Sequence, residues 1–514
     1  MSRTLTLGLL FAVIAALALR CPQLDIRPMH NDEAVNAIKL RDLWEHGSYQ
    51  YDPKEYHGPT LLYLTFAWMK LAGPVDFVNF DESELRFVTV IFGLGLILLL
   101  PLVADGLGRR ATVCAGVLTA SSPAMVFYSR YFIHEMLLVF FTFLALAAGW
   151  RYSRSRKPGW ALLAGAAMGL MQATKETFVL AFAAMAAALI LNAIWIRSRE
   201  SSPSSPPFNF KPLALAVGAW FAVALILFTS FFTNRHGLVD AVRTYLPWLH
   251  RAGGASPHIH PWDFYLERLA WFHSGKGPVW SEVLILGLAL LGMIFAFARR
   301  NLVEANAGFV RFLAIYTIIL TAIYSAISYK TPWCLLSFWQ GMILLAGFGA
   351  VALLDSLRQP VLKMAISALL LLGAAQLAFQ AWRAGVEFAA DPRNPYVYAQ
   401  TSQDILNLVN RVDALAQADP QKYSMVVKLI APESDYWPLP WYLRRFNQVG
   451  YWSQIPPDPY APVMIVSTKF DANLDANKTH LMAGIFELRP QTFLELYAET
   501  NLWRVHLAAA KPSD

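Results

Sequence analysis

The sequence contains little cysteine and few charged residues. Its 514 residues include three cysteines, which form no Cys-x-x-Cys pair and no Cys/His ligand spacing. The sequence therefore indicates neither a disulfide framework nor a zinc site. Charged residues make up 15% of the chain, against about 25% in typical soluble domains. We also find no internal repeat and no low-complexity tract.

The sequence is rich in long apolar runs. Apolar residues make up 56% of the chain, and the mean hydropathy is +0.40. Several runs reach the roughly 17 apolar residues that a transmembrane helix needs, so the sequence predicts a polytopic α-helical membrane protein. The net charge of +7 is then a signal of topology rather than of nucleic-acid binding, because Lys and Arg collect in cytoplasmic loops.

About eleven apolar segments are predicted to span the membrane. They are residues 5–19, 85–107, 112–128, 133–150, 160–174, 177–196, 213–232, 283–298, 309–327, 335–354 and 361–381. Residues 60–71 are also apolar, but as a helix they would be only about 20 Å long, against a bilayer core of about 30 Å. We therefore predict that this segment lies in the interface or re-enters the membrane within the first outer loop.

Basic residues predict the orientation of the spans. Clusters at 109–110, 151–157 and 197–199 fall on one side, whereas the short links on the other side contain Arg130, Lys175 and Lys330. The positive-inside rule then places the N-terminus in the cytoplasm. We predict a transmembrane module of residues 1–382 in the cell (inner) membrane, with outer loops at 20–84 and 233–280.

The composition changes from about residue 383. A polar helical pattern at 403–416 leads to apolar, strand-like runs at 425–431, 463–468 and 480–488. Strand-like runs alternating with helical sequence predict a small α/β domain. The topology places this domain, residues 383–514, outside the cell.

The first outer loop sets ionisable residues beside apolar sequence. They are His30, Asp32, Glu33 and His57. Part of this pattern has an ordinary explanation, because Asn31 or Asp32 is a suitable N-cap for a helix through residues 34–44, and acidic residues favour the first helical turn. Capping explains one carboxylate. It does not explain why histidines, including His134 in the next outer link, occur on the same side.

The short outer links each contain a cation. These links hold Arg130, His134 and Glu135, then Lys175 and Glu176, then Lys330. Ionisable groups at membrane depth cost about 2.5–3.5 kcal/mol each and indicate a functional site. Lys175 has a simpler alternative, in which it pairs with Glu176 or extends to the interface. Three cationic links on one side favour an anionic ligand, such as the phosphate of a lipid.

This set of residues predicts glycosyl transfer from a lipid-phosphate sugar. Asp32 or Glu33 would act as the general base on an acceptor hydroxyl, and the cations would stabilise the departing lipid phosphate. The predicted substrate-binding residues are His30, His57, Arg130, His134, Glu135, Lys175, Glu176 and Lys330.

Two further features of the sequence have alternative interpretations. The histidines and carboxylates, together with His258 and His260, are suitable ligands for a divalent metal, but none has helical i,i+4 spacing; we predict no cofactor and keep the metal as the lesser alternative. The aromatic residues of the loop at 233–279 are typical of an interfacial belt, with sugar stacking or a lid over the site as the lesser alternative. Those of residues 433–442 fit carbohydrate binding and membrane docking equally.

Several motifs, taken in order, resemble those of the GT-C membrane glycosyltransferases. They are Asp32-Glu33, His57-Gly58-Pro59-Thr60-Leu61, Glu84-Leu85-Arg86, residues 130–135, Ala173-Thr174-Lys175-Glu176 and Tyr329-Lys330-Thr331-Pro332-Trp333. They are most similar to the dolichyl-phosphate-mannose protein mannosyltransferase and aminoarabinose transferase branches, over roughly residues 1–380. The whole chain looks closest to a prokaryotic branch associated with glycan assembly.

The resemblance implies an inverting transferase that takes a sugar from a polyprenyl-phosphate donor. It implies Asp32 as the base, Glu33 as its neighbour, and contacts from Lys175 and Lys330 to the lipid phosphate. His57 stands where relatives often carry Lys, and Glu176 where they carry Gly. The expected partners are the lipid-linked sugar, membrane lipids, and an acceptor that is a protein, lipid or glycan.

A rival hypothesis makes the chain a transporter or a flippase-associated component of lipid-linked glycan assembly without transfer activity of its own. Transporters place polar and broken-helix features near the bilayer midplane and often contain inverted repeats. The sequence shows no such repeat, and its outer-link charges lie to one side. We therefore favour the transferase.

Overall fold

The chain forms a helical membrane module followed by a small α/β domain. A computed structural model describes residues 2–54, 57–73, 76–199, 210–253, 258–298 and 304–509. Within these ranges, eight helices are long and apolar enough to cross a membrane. Their bounds are Arg3–Arg20, Glu82–Leu107, Glu135–Ser155, Phe178–Ser198, Phe210–Phe228, Ala307–Ala326, Pro332–Ser356 and Pro360–Glu387. The chain is therefore an integral membrane protein, as predicted.

Three other predicted spans also fold as helices. The segment predicted at 112–128 is a pair of helices, Arg109–Ser121 and Pro123–Ser129, bent by 59°. Pro158–Gln172 has 15 residues and Val283–Ala298 has 16, so both are shorter than the eight long helices. The count of eleven spans and the orientation stay predictions.

The bend is built by a proline and a buried carboxylate. Pro123 begins the second helix of the pair, where a missing N–H costs nothing. Glu282, at the start of Val283–Ala298, accepts hydrogen bonds from Ser122 Oγ at 2.6 Å and from the Ala124 N–H at 3.0 Å. The hydroxyl of Tyr396 donates to the same carboxylate at 2.6 Å. Glu282 thus satisfies the donors that the break exposes.

Small residues allow the short helix Pro158–Gln172 to pack closely on its neighbour. A Cβ at Gly165 would lie 1.9 Å from the carbonyl oxygen of Ala216 in Phe210–Phe228. Such contacts are typical of helix packing in membranes, where small residues let backbones approach.

The first outer loop contains two helices and a short 3₁₀ turn. Asn31–His46 buries a face formed by Ala34, Ala37, Leu40 and Leu43, at helical spacing. Thr60–Ala72 has 13 residues, or roughly 20 Å, which is short for a span. The turn Phe77–Asn79 then leads into Glu82–Leu99. The second outer loop contains the helices Gly237–Arg243, Tyr245–Gly253 and Phe264–Ala270.

The C-terminal domain is a five-stranded mixed sheet with helices, which confirms the predicted small α/β domain. The strands are β1 (Val426–Ile430), β2 (Gln448–Trp452), β3 (Val463–Ser467), β4 (His480–Arg489) and β5 (Thr492–Glu499). Their order is β2-β1-β3-β5-β4, with β1 parallel to β2 and β3, and β5 antiparallel to β3 and β4. Alternate residues point to opposite faces. One face packs on the helices Asp404–Ala418 and Thr500–Ala509.

The segment between the last span and the sheet packs against the first outer loop. Gln400 donates to the carbonyl of Pro28 at 3.0 Å, and Thr401 to that of Met29 at 2.7 Å. The Met29 N–H donates to the hydroxyl of Tyr442 at 2.8 Å. The α/β domain therefore holds the backbone immediately before His30. The domain boundary at 382/383 stays a prediction.

Candidate active site

Glu33 lies at the centre of a buried ion-pair network. Arg86 donates to both of its carboxylate oxygens at 2.8 Å, and Arg27 approaches at 3.5 Å. The backbone N–H groups of His30 and Phe132 also donate, at 3.0 and 2.9 Å. Burial alone would raise the pKa of Glu33, but the two arginines and the backbone N–H group of His30 lower it to about 2. Glu33 is thus a charged carboxylate whose two oxygens both accept hydrogen bonds from protein groups.

Asp32, its neighbour in sequence, is in a very different environment. Its side chain is 47% exposed and lies in the first turn of Asn31–His46, where the helix dipole favours negative charge. The Nδ1 of His30 lies 4.0 Å from Oδ2 of Asp32. Of the two carboxylates, Asp32 is the one that a ligand can reach.

His30, rather than the predicted Asn31 or Asp32, is the N-cap of this helix. Its Nδ1 accepts a hydrogen bond from the Asp32 N–H at 3.1 Å, so the proton of the neutral ring is on Nε2. Burial lowers the pKa of His30, and the ring packs against Tyr131 and Trp333 at centroid distances of 5.5 and 5.7 Å. Nε2 is buried.

Arg130, a predicted substrate-binding residue, contacts the protein backbone in the structure. Its guanidinium is buried and donates to main-chain carbonyls of Arg20, Pro22, Gln23 and Gly385, at 2.6–3.1 Å. Burial lowers its pKa to about 10, which leaves it charged at neutral pH. Arg130 therefore joins the end of the first helix to the segment that follows the last span.

Lys175 forms a buried ion pair with Glu135, not with its neighbour Glu176. Burial alone would lower the pKa of Lys175, but Glu135 outweighs that effect and raises it. An ammonium has three N–H donors, and Glu135 is its hydrogen-bond partner among the residues described here. The cation is thus held in place while it keeps donors for a ligand.

Glu176 pairs with His57 in a second cluster. His57 Nδ1 lies 2.8 Å from Glu176 Oε2, and the His57 side chain is 42% exposed. Burial raises the pKa of Glu176, but the interaction with His57 predominates and lowers it. The ring of His134 packs edge-on against His57 at 5.1 Å, and burial holds its pKa well below the usual value.

Close packing of two links holds this cluster. The Gly58 N–H donates to the carbonyl of Thr174 at 3.2 Å, and the Thr60 N–H to that of Ala173 at 3.0 Å. A Cβ at Gly58 would lie 2.1 Å from the Ala173 oxygen, so this contact requires glycine. His134 Nε2 is 3.2 Å from the Gly58 carbonyl. His57, His134 and Glu176 are thereby brought together, as their shared side predicts.

Lys330 supports the second outer loop. Its side-chain ammonium donates to the carbonyls of His260 and Ile327, and its backbone N–H donates to the carbonyl of His258 at 2.8 Å. Residues 258–260 pair with 328–330 through the bridge between Ile259 and Tyr329. The predicted contact of Lys330 with phosphate stays a prediction.

One outer link connects the two halves of the candidate site. Phe132 donates its N–H to Glu33, and three residues later Glu135 binds Lys175. Three residues span at most about 10 Å. The same short link, residues 132–135, therefore contacts both Glu33 and Lys175.

Within the residues that the structure describes, no group of three or more His, Cys, Asp and Glu side chains is arranged to hold a metal ion. The candidate ligands instead occur in separate contacts. His57 meets His134, whereas His258 and His260 both meet the hydroxyl of Tyr398, at 2.7 and 3.0 Å.

Some residues of the site were not predicted from the sequence. Arg27 and Arg86 bind Glu33, although Arg86 lies in a motif noted for its family resemblance. Tyr398 comes from the segment before the α/β domain. No local sequence signal marks Tyr398, because its partners are more than a hundred residues away.

The fold is that of membrane-embedded GT-C glycosyltransferases, which confirms the resemblance. A family model for dolichyl-phosphate-mannose-protein mannosyltransferase matches residues 57–203. Among solved structures, ArnT from Cupriavidus metallidurans in the apo state has a TM-score of 0.65 at 13% identity, with 97% of this chain and 98% of that chain covered. No curated protein sequence matches the chain.

Two structures with a bound lipid phosphate are also similar. ArnT bound to undecaprenyl phosphate has a TM-score of 0.61 at 15% identity and covers 96% of this chain and 98% of its own. The oligosaccharyltransferase AglB from Archaeoglobus fulgidus, in complex with an inhibitory peptide and a dolichol-phosphate, has a TM-score of 0.55 at 12% identity and covers 91% and 70%. At these identities, the similarity shows the fold.

Proposed function

We propose that this protein transfers a sugar from a polyprenyl-phosphate donor to an acceptor hydroxyl on the extracytoplasmic face of the membrane. The observation that carries the proposal is the contrast between adjacent carboxylates. Glu33 is locked in an ion-pair network, while Asp32 is half-exposed on the rigid helix turn that this network supports. An accessible carboxylate on a rigid support is the arrangement that a general base requires.

The proposed reaction is a single displacement. Asp32 removes the proton from the acceptor hydroxyl while that oxygen attacks the anomeric carbon of the donor sugar. The bond between this carbon and the phosphate oxygen breaks, and the lipid phosphate leaves with the electron pair. Attack opposite the leaving group inverts the configuration at the anomeric carbon. The acceptor is a protein, lipid or glycan that presents the hydroxyl.

Lys175 is our candidate for stabilising the departing phosphate. It is a buried ammonium whose pKa is raised by Glu135, and charge-assisted hydrogen bonds to phosphate are strong. His57 presents a half-exposed ring beside it, oriented by Glu176. We assign Glu33, Arg130 and Lys330 to positioning, because their polar atoms are engaged with protein groups.

The proposed orientation follows from the basic links. The exposed ion pairs of Arg110 with Asp355 and of Arg151 with Asp105 lie on the side opposite the candidate site. Under the positive-inside rule this side is cytoplasmic. An accessible base on the other side favours a transferase over the alternative of a transport component without transfer activity.

The substitution Asp32→Asn tests the proposal. Purified protein would be supplied with undecaprenyl-phosphate sugars and acceptor extracts, and sugar transfer would be followed by radiolabel. We expect transfer to fall about 10²- to 10⁴-fold, with the unfolding temperature unchanged. Asp42→Asn is the matched control, since Asp42 is an exposed carboxylate on the same helix. Unchanged transfer by Asp32→Asn would exclude Asp32 as the base.

A further inference from the structure

A cluster of rings lies beside Asp32 and is formed by three separate parts of the chain. We call it the ring cluster: His258 and His260 from the second outer loop, Trp333 from the last outer link, and Tyr398 from the segment before the α/β domain. Both imidazoles approach the Tyr398 hydroxyl, at 2.7 and 3.0 Å. The Trp333 ring lies 6.0 Å from that of Tyr398 and 5.7 Å from that of His30.

The backbone holds the ring cluster rigidly. The His260 N–H donates to the carbonyl of Ser328 at 3.0 Å, and the Lys330 N–H to that of His258 at 2.8 Å. The His260 ring stacks on Phe264 at a centroid distance of 4.1 Å. A site that binds through positioned polar atoms needs such support, and here Lys330 supplies part of it.

The imidazoles and the phenol of the ring cluster favour their neutral forms. Burial lowers the pKa of His258, although the negative charge of Asp32 opposes this shift, and burial also lowers the pKa of His260. Burial raises the pKa of Tyr398 to about 12. The rings themselves carry no positive charge; of the nearby cations, the Lys330 ammonium donates to the His260 carbonyl and the Arg268 guanidinium lies over the Phe264 ring. The ring cluster therefore offers a ligand neutral hydrogen-bonding groups rather than the charged donors that bind phosphate most strongly.

The same groups suit the hydroxyls and the apolar ring face of a sugar. Neutral imidazole and phenol groups each donate and accept hydrogen bonds, and aromatic rings provide amphipathic contact area. His258, His260 and Tyr398 are partly exposed.

We propose that the ring cluster is a saccharide subsite that binds the hydroxyl groups of a sugar ring next to Asp32. This inference rests on the proposed transfer function and adds to it the residues that recognise sugar. The sugar is either the one carried by the lipid phosphate or one in a glycan acceptor, and both present the same chemistry.

The test is binding by purified full-length protein, without an acceptor and so without transfer. The probes are undecaprenyl phosphate, the same lipid phosphate bearing mannose or glucose, and the free methyl glycosides of both sugars. Tyr398→Phe removes the hydroxyl but keeps the ring. His273→Ala is the control, because His273 is an exposed imidazole in the same outer loop.

If the donor sugar occupies the subsite, Tyr398→Phe weakens binding of a sugar-bearing lipid about 2- to 10-fold and leaves that of undecaprenyl phosphate unchanged. If the acceptor sugar occupies it, the variant weakens binding of a methyl glycoside and leaves both lipids unchanged. The control retains wild-type binding. His258→Ala, checked for an unchanged unfolding temperature, provides a second variant with the same expected pattern.

Three results would overturn the proposal. Tyr398→Phe could weaken the binding of sugar-bearing and sugar-free lipid equally, or it could change the binding of no probe. The third result is that the wild-type protein binds no sugar-bearing lipid more tightly than undecaprenyl phosphate and does not bind the glycosides. Failure of the proposed function has a different signature. If Asp32→Asn still transfers sugar while Tyr398→Phe loses sugar binding, the assignment of the base is wrong and the subsite stands.

Discussion

Two adjacent carboxylates have opposite environments in this protein. Glu33 receives two arginines and two backbone N–H groups, whereas Asp32 is half-exposed. Neighbouring carboxylates held in contrasting environments are a common basis for dividing chemical roles. In the proposed mechanism, Glu33 positions the helix turn and Asp32 accepts the proton.

We expect Glu33→Gln to act on stability, and to do so in a pH-dependent way. The folded-state pKa of Glu33 is about 2, below the value of about 4.3 for an unfolded Glu. Its stabilising effect is therefore complete above pH ~4.3 and is lost as the pH falls towards 2. Removing one partner of a buried ion pair typically costs about 3–5 kcal/mol.

Thermal unfolding in detergent between pH 7 and pH 3 measures this effect. The gap between the native chain and Glu33→Gln should be constant from pH 7 to 5 and should narrow below about pH 4. Glu45→Gln, on the exposed side of the same helix, should match the native chain throughout. A gap that stays constant down to pH 3 would contradict the ion-pair explanation.

The sequence predicted part of this arrangement. It indicated that one residue near Asp32 serves helix capping, but the cap is the imidazole of His30, which is not a usual capping residue. It also gave no means to distinguish the two carboxylates. That distinction depends on Arg86, more than fifty residues away, whose direction only the packed structure defines.

At the scale of elements, apolar run length predicted the helices well. Each of the eleven predicted spans is a helix or, at 112–128, a bent pair of helices. The bend was missed because its cause is only partly local: Pro123 is visible in the sequence, but the carboxylate of Glu282 that stabilises the break comes from another span. The partners of Lys175 and Glu176 were missed for the same reason.

The short helix Thr60–Ala72 determines the orientation of everything after it. If it lies in the interface, Lys157 faces the cytoplasm and Asp475 lies outside; if it spans, both positions are reversed. Both residues are exposed, so each can be replaced by cysteine and labelled with a membrane-impermeant maleimide in intact spheroplasts. We expect position 475 to be labelled and position 157 to react only after permeabilisation.

The native chain provides the background for this labelling experiment, since its cysteines at positions 21, 114 and 334 are each only partly exposed. Labelling of position 157 in intact spheroplasts, with protection of position 475, would show that Thr60–Ala72 spans the membrane. The candidate site would then face the cytoplasm.

At the scale of the whole molecule, the α/β domain is part of the candidate site. Gln400 and Thr401 bind the carbonyls of Pro28 and Met29, and the Tyr442 hydroxyl accepts from the Met29 N–H. These contacts fix the backbone that leads into Asp32. The sequence predicted the domain but not this contact, because chain segments almost four hundred residues apart meet there.

A structure of the purified protein with an undecaprenyl-phosphate sugar bound would test the central claim most directly. We expect a phosphate oxygen about 2.7–2.9 Å from the ammonium of Lys175. The anomeric carbon should face the space above Asp32, within about 3–3.5 Å of where an acceptor oxygen would be bound. A phosphate bound away from Lys175 would contradict the proposed transfer reaction. So would an anomeric carbon too far from Asp32 for one acceptor oxygen to contact both.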